Sequence, residues 1–128
     1  MSIKNLNLLL ILFVLILSSC SGSDTYQGKW KATNPEGKKF EIEFLPKNFK
    51  IKDEAGDSSN FAYTQNSVEI KNFVETYGIK LNDGRTYSIH FPLAEDESVG
   101  VMIDGAGNPV YTICRNEYKM LDDIYKLK

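Results

Sequence analysis

Between Lys29 and Cys114, apolar side chains recur at every second position, segment after segment, and this alternation constrains the fold more than any other feature of the chain. A period of two places successive side chains on opposite faces of a strand, one face buried and the other wet. The run KFEIEF sets Phe40, Ile42 and Phe44 against Glu41 and Glu43. The same spacing joins Trp30 with Ala32, Phe49 with Ile51, Phe61 with Tyr63, and Val68 with Ile70. It continues through Tyr77, Ile79 and Leu81, then Tyr87, Ile89 and Phe91. Val99, Val101 and Ile103 follow, and Tyr111 with Ile113 completes the series.

Turn chemistry separates nearly every pair of these runs. It falls at NPEG (34–37), LPKN (45–48), DEAGDSS (53–59), TQNS (64–67), LNDG (81–84), PLAEDES (92–98) and DGAGNP (104–109). Glycine supplies positive φ, proline presets φ, and Asn and Asp bond their own backbone. Short loops make sequence neighbours antiparallel neighbours. The stretch 72–76 reads either as a turn or as a bulge in one long strand, which gives eight or nine strands. A flat meander of that length leaves two open edges, and closure removes them. The expected class is therefore all-β: an antiparallel meander of about eight strands closed into a small barrel. After Arg115 the period breaks. Tyr118, Leu121, Asp122 and Tyr125 share a helical face with Asn116 as N-cap, which predicts a short C-terminal helix or docked tail.

The front of the chain carries a different signal. Residues 6–17 are almost wholly apolar, too few for the roughly 20 residues that span a bilayer. A positive start with Lys4, an apolar core and small residues before a cut site make a secretory signal. Leu17-Ser18-Ser19-Cys20 resembles the lipobox of bacterial lipoproteins. The resemblance implies that residues 1–19 are a removed signal peptide and that Cys20 takes the lipid. Residues 20–27 then form a lipidated tether, and residues 28–128 form the β-barrel domain. Two or more acyl chains hold a protein durably to a membrane, where one chain holds it marginally. Ser21 rather than Asp after the cysteine implies the outer membrane in a Gram-negative host.

Loss of residues 1–19 leaves 109 residues, enough for one self-standing domain. Lys4 goes with them, so the mature net charge is −3, with both signs interspersed. Nucleic acid is not an expected partner, because phosphate binding needs clustered Lys and Arg. With Cys20 lipidated, Cys114 has no disulfide partner and reads as a buried thiol.

Gly28-Lys29-Trp30, at the opening of the first strand, is similar to the G-x-W motif of lipocalins and related calycin barrels. In that family a basic residue at the end of the last strand packs across the tryptophan, and Arg115 has that position. The resemblance covers the whole mature domain and implies a lipocalin-like barrel closed by the pair Trp30 and Arg115. A guanidinium over an indole contributes about 0.5–2 kcal/mol. The alternative is a core Trp30 with Arg115 in water. The chain is shorter than typical lipocalins and lacks their disulfides, so the family's deep cavity does not follow from the resemblance.

Catalytic chemistry is sparse. His90 is the one histidine, and it alternates with Thr86 and Ser88 on the outward face. A zinc site needs several Cys or His ligands. The acidic groups at Asp53, Glu54 and Asp57, and at Glu95, Asp96 and Glu97, lack the calcium-hand pattern and read as solvated loops. No enzyme, metal or cofactor is expected. The leading expectation is a membrane-anchored envelope lipoprotein that binds a small apolar ligand, lined by Trp30, Phe44, Tyr63, Tyr87 and Phe91. The alternative is a protein-interaction lipoprotein, for example a lysozyme or protease inhibitor or an assembly partner. An eight-stranded barrel is just wide enough to be filled by its own side chains, so a solid and a hollow interior are both open.

Overall fold

A computed structural model describes residues 25–94 and 96–126. The proposed signal, Cys20 and Glu95 lie outside the described residues. Eight antiparallel strands run in sequence order: β1 (Gly28–Thr33), β2 (Lys39–Phe44), β3 (Asn48–Lys52), β4 (Ser58–Lys71), β5 (Val74–Leu81), β6 (Thr86–Phe91), β7 (Val99–Asp104) and β8 (Pro109–Cys114). β1 pairs with β8 through Lys31–Cys114, Ala32–Ile113 and Thr33–Thr112, which closes the barrel. One short helix follows, α1 (Leu121–Lys126). The all-β barrel with a short C-terminal helix is thus the observed fold.

An up-and-down barrel has two ends of opposite character. Residue 25, the 45–47 turn, the β4–β5 turn, the 92–98 loop and Arg115 gather at one, here the tether end. The other, the cup end, consists of four tight turns joining β1–β2, β3–β4, β5–β6 and β7–β8. Each of these four closes the same way, with a glycine N–H donating to the carbonyl three residues earlier: Gly37 to Asn34, Gly56 to Asp53, Gly84 to Leu81, Gly107 to Asp104. In three of them an Asn or Asp side chain at the first position also accepts backbone N–H bonds, as Asp104 does from Ala106 and Asn108. This is the type I turn with a left-handed residue that favours glycine, seen at Gly37 (φ 86°) and Gly107 (φ 91°).

Three expectations are corrected. TQNS is not a turn: β4 runs through it with a bulge between Gln65 and Ser67. A bulge bends and twists a strand without ending it, as a closing wall requires. The turn falls instead at Asn72-Phe73, which resolves the open reading of 72–76. There Asn72 (φ 52°) and Phe73 (φ 66°) are both left-handed. That two-residue geometry ordinarily takes Asn-Gly; a left-handed phenylalanine costs about 1–2 kcal/mol. Second, Val68 and Ile70 do not bury the face their alternation predicts. β3 pairs with β4 only over Ser58–Ala62, so the distal half of β4 runs beyond the wall with β5 alone. Third, the helix starts at Leu121, not after Asn116. Asp123 accepts the Met120 N–H, and residues 115–120 run along the wall in irregular backbone.

Val99, Val101 and Ile103 do alternate, but their face is the outer one. Val99, Val101 and Cys114 are buried beneath Ile124 of α1, with Leu93, Ile103 and Leu121 packed around them. Cys114 is a free, buried thiol there. The main core fills the barrel itself, from Tyr26 and Trp30 through Ile42, Ile79, Ile89 and Ile113.

Candidate functional site

The tether end of the interior is packed with rings. Tyr26 lies 5.4 Å from Phe44 and 5.3 Å from Tyr77 between centroids, Trp30 lies 5.9 Å from Phe91, and Phe49 lies 5.7 Å from Tyr63. Edge and tilted pairs at such distances suit the aromatic quadrupole. The polar tips are met as well. Trp30 Nε1–H donates to the Tyr26 carbonyl at 2.7 Å, Tyr63 donates to the Leu45 carbonyl at 2.6 Å, and Tyr26 donates to Gln65 Oε1 at 2.9 Å. Tyr26 precedes the first strand and was not singled out in the sequence. Its only sequence signal is an aromatic two residues ahead of Gly28.

Arg115 seals this end from outside. Its guanidinium lies 3.7 Å from the Trp30 ring centroid. It donates to the carbonyls of Lys29 (3.0 Å), Thr25 (3.1 Å) and Gln27 (2.7 Å). Gly28 is at φ 100°, and a Cβ there would sit 2.9 Å from Arg115 Nη1. The glycine, the tryptophan and the arginine are therefore one device: the missing Cβ leaves room for the guanidinium over the indole.

At the cup end a cavity of about 390 Å³ opens. Phe49, Ile51, Phe61, Leu81, Met102 and Val110 form its apolar wall, and Tyr87 and Tyr111 add rings with hydroxyls. Asn34, Pro35, Arg85 and Pro109 stand at the mouth, on or beside the tight turns. Arg85 Nη2 pairs with Asp83 Oδ2 at 2.8 Å, and its guanidinium lies 5.3 Å from the Phe61 ring. Its Nη1 is 3.4 Å from the Tyr87 hydroxyl. The hydrogen bond from Arg85 holds the Asp83 carboxyl below its usual range, so the rim offers a charge-balanced polar pair rather than a bare cation. The depression beside Lys39, Glu41 and Lys52 lies on the outer wall, with charged residues lining it. The cup combines an apolar interior with a polar lip.

The five residues expected to line a pocket all point inward, but to different levels. Tyr87 lines the cup. Trp30, Phe44, Tyr63 and Phe91 lie in the packed tether end, and the remaining wall of the cup comes from β3, β4, β5, β7 and β8. The Trp30–Arg115 pair is in contact. His90 sits on the outer face of β6, where its Nδ1 is 2.8 Å from Thr76 Oγ1.

Burial of the ring cluster shapes its titration. Burial raises the Tyr77 hydroxyl to about 12, and it pushes Tyr63 and Tyr111 upward too. An unfolded tyrosine ionises near pH 10. Below that pH both states hold the proton and the stabilisation is fully present. Between about pH 10 and 12 the unfolded chain releases protons that the fold retains, so stability falls. Denaturant midpoints measured from pH 8 to 12 should be level with respect to these groups up to about pH 9.5 and then drop. Tyr77→Phe should flatten the drop; an unchanged profile in that variant would remove Tyr77 from the effect.

No family model, curated protein or solved structure matches this chain.

Proposed function

We propose that the protein is a lipid-anchored lipoprotein of the cell envelope whose lipocalin-like barrel binds a small, largely apolar ligand in the cup. The observation that carries the reading is the cup itself. Its volume falls in the range of about 300–1,000 Å³ common to small-molecule sites, which are apolar concavities with a few placed polar groups. A ligand would lay its apolar part against Ile51, Leu81, Met102 and Val110 and meet polar atoms at Arg85, Tyr87 and Tyr111. The anchor rests on Leu17-Ser18-Ser19-Cys20, and the lipocalin likeness rests on Gly28, Trp30 and Arg115. The two parts fit each other: Thr25, the first described residue of the tether, is at the end opposite the cup, so a tethered barrel holds its mouth away from the membrane.

The test is titration with a fluorescent fatty acid and with a polarity-sensitive dye. Saturable binding is expected. Val110→Trp, which fills the cup from its wall, should weaken it at least about tenfold, the worth of roughly 1.4 kcal/mol. Tyr87→Phe should weaken binding of a ligand with a polar end about 2- to 10-fold, the range of one hydrogen bond. His90→Ala, on the outer wall, should leave it unchanged. Absence of saturable binding by any apolar ligand, or full binding by Val110→Trp, would overturn the reading.

A further inference from the structure

The β4–β5 hairpin carries a set of side chains that the barrel does not use. Val68 is 54% exposed, Ile70 is 64% exposed and Phe73 is 76% exposed. Val68 pairs with Tyr77, and Ile70 with Glu75. Cross-strand partners share a face, so Val68 and Ile70 continue the inward face of the sheet past the end of the barrel. Phe73 crowns the turn in a conformation that suits glycine. An exposed ring held at a conformational cost gains nothing within the isolated fold, and such an outlier points to a role outside it.

The hairpin and the tether leave the barrel at the same place. Thr25 Oγ1 lies 3.0 Å from the Tyr77 hydroxyl, and Tyr77 is opposite Val68. From that level the hairpin runs on through Glu69, Ile70 and Lys71 to its turn, about 15 Å at about 3.3 Å per residue. Four residues stand between Cys20 and Thr25, so five Cα steps give a reach of at most about 17 Å. The two reaches match. A lipid at Cys20 is therefore within reach of a membrane that meets the hairpin tip.

We infer that the Asn72-Phe73 tip, with Ile70 behind it, is a second membrane contact that inserts into the interfacial layer of the bilayer holding the lipid. This rests on the lipid-anchor reading above. Insertion is shallow, because the outer edge of β4 beyond Ala62 has no strand partner among the described residues, and unpaired backbone is excluded from hydrocarbon. The contact is apolar rather than electrostatic. Lys71 is paired with Glu69 at 2.9 Å, and the mature chain is net negative. Two contacts at one end, the lipid and the tip, would fix the barrel upright with its cup facing away from the membrane.

The experiment uses the full, lipidated chain in phosphatidylcholine vesicles. A polarity-sensitive label goes on Lys71→Cys beside the intact Phe73, or on Asn108→Cys at the cup end, with Cys114 buried in both. The Lys71 label should shift to shorter wavelength and be quenched by brominated lipid, unchanged by 0.5 M salt (about a 4 Å screening length); the Asn108 label should do neither. Adding Phe73→Gly to the Lys71 reporter should lower the ratio of contacting to free label about tenfold, the order expected for one aromatic ring withdrawn from the interface. The same change should leave the denaturation midpoint equal or higher, since glycine suits φ 66°. A Lys71 label as wet as the Asn108 label on an anchored protein overturns the inference and leaves the anchor standing. Loss of the label's shift on salt, or burial of the label through dimer formation without vesicles, also overturns it. Failure of fatty-acid labelling at Cys20, tested against Cys20→Ala, removes the anchor reading instead.

Discussion

Trp30→Ala is expected to lower the free energy of unfolding by about 3–5 kcal/mol, the range for deleting a buried large aromatic. The indole is 1% exposed and sits where three supports meet: the Phe91 ring, the Arg115 guanidinium and the Tyr26 carbonyl. Its removal opens a void that rigid walls on both sides cannot close. The neighbouring strands are pinned by the β1–β2 and β1–β8 ladders, so relaxation is limited and the cavity term is large. It also leaves the Tyr26 carbonyl without its indole donor. Trp30→Phe keeps a ring but loses that N–H, and should fall between the parent and alanine. Urea denaturation of the three proteins gives the order. A loss under about 1 kcal/mol for Trp30→Ala would mean that the ring does not plug the barrel. Because Trp30 is at the tether end, Trp30→Phe should still bind a cup ligand with parental affinity. That separates loss of fold from loss of site.

Much of this architecture is written into the chain at short range. Period two and the Asn, Asp and Gly turns are local properties, and the four cup-end turns follow them residue by residue. What was hidden depends on where the barrel ends. Val68 and Ile70 have the pattern of a buried face, yet pattern reports only which side of a strand a residue takes. Whether anything stands opposite depends on the stagger of β3 against β4, a non-local quantity. Val99 and Val101 show the same limit from the other direction. Their alternation is correct, but α1 covers the outer wall there, so buried and inward cease to mean the same thing.

The cup was hidden for a related reason. Inward direction could be assigned to Trp30, Phe44, Tyr63, Tyr87 and Phe91 from parity, whereas height along the barrel axis could not. Four of the five fall at the crowded end, where Tyr26 joins them. The cavity belongs to the level where Ile51, Leu81, Met102 and Val110 stand among Phe49, Phe61, Tyr87 and Tyr111. The Gly28-x-Trp30 and Arg115 association was legible only through resemblance, since nothing local links positions 87 residues apart. The geometry now supplies a reason for it: three carbonyls from the chain before and within β1 converge on one guanidinium, and only a residue without a Cβ leaves room for it at position 28.

That convergence gives the second large effect. Arg115→Ala is expected to cost about 2–4 kcal/mol, because it removes a cation–π contact and leaves three carbonyls to find other donors. The lost bonds tie the segment before β1 to the end of β8, so fraying of residues 25–27, and with them Tyr26, should follow. Arg115→Lys should recover only part of the loss, since an ammonium cannot lie flat on the indole and fork to three oxygens at once. Gly28→Ala should cost about 1–3 kcal/mol, partly from a side chain at φ 100° and partly from displacing the guanidinium. In the double variant the second part is absent, because no guanidinium remains to be displaced. The two losses should therefore sum to more than the double variant shows, with a coupling of about 1 kcal/mol or more. A double-mutant cycle by equilibrium denaturation measures it. Additivity within about 0.3 kcal/mol would show that Gly28 and Arg115 act independently, and the glycine would then be needed for its backbone alone.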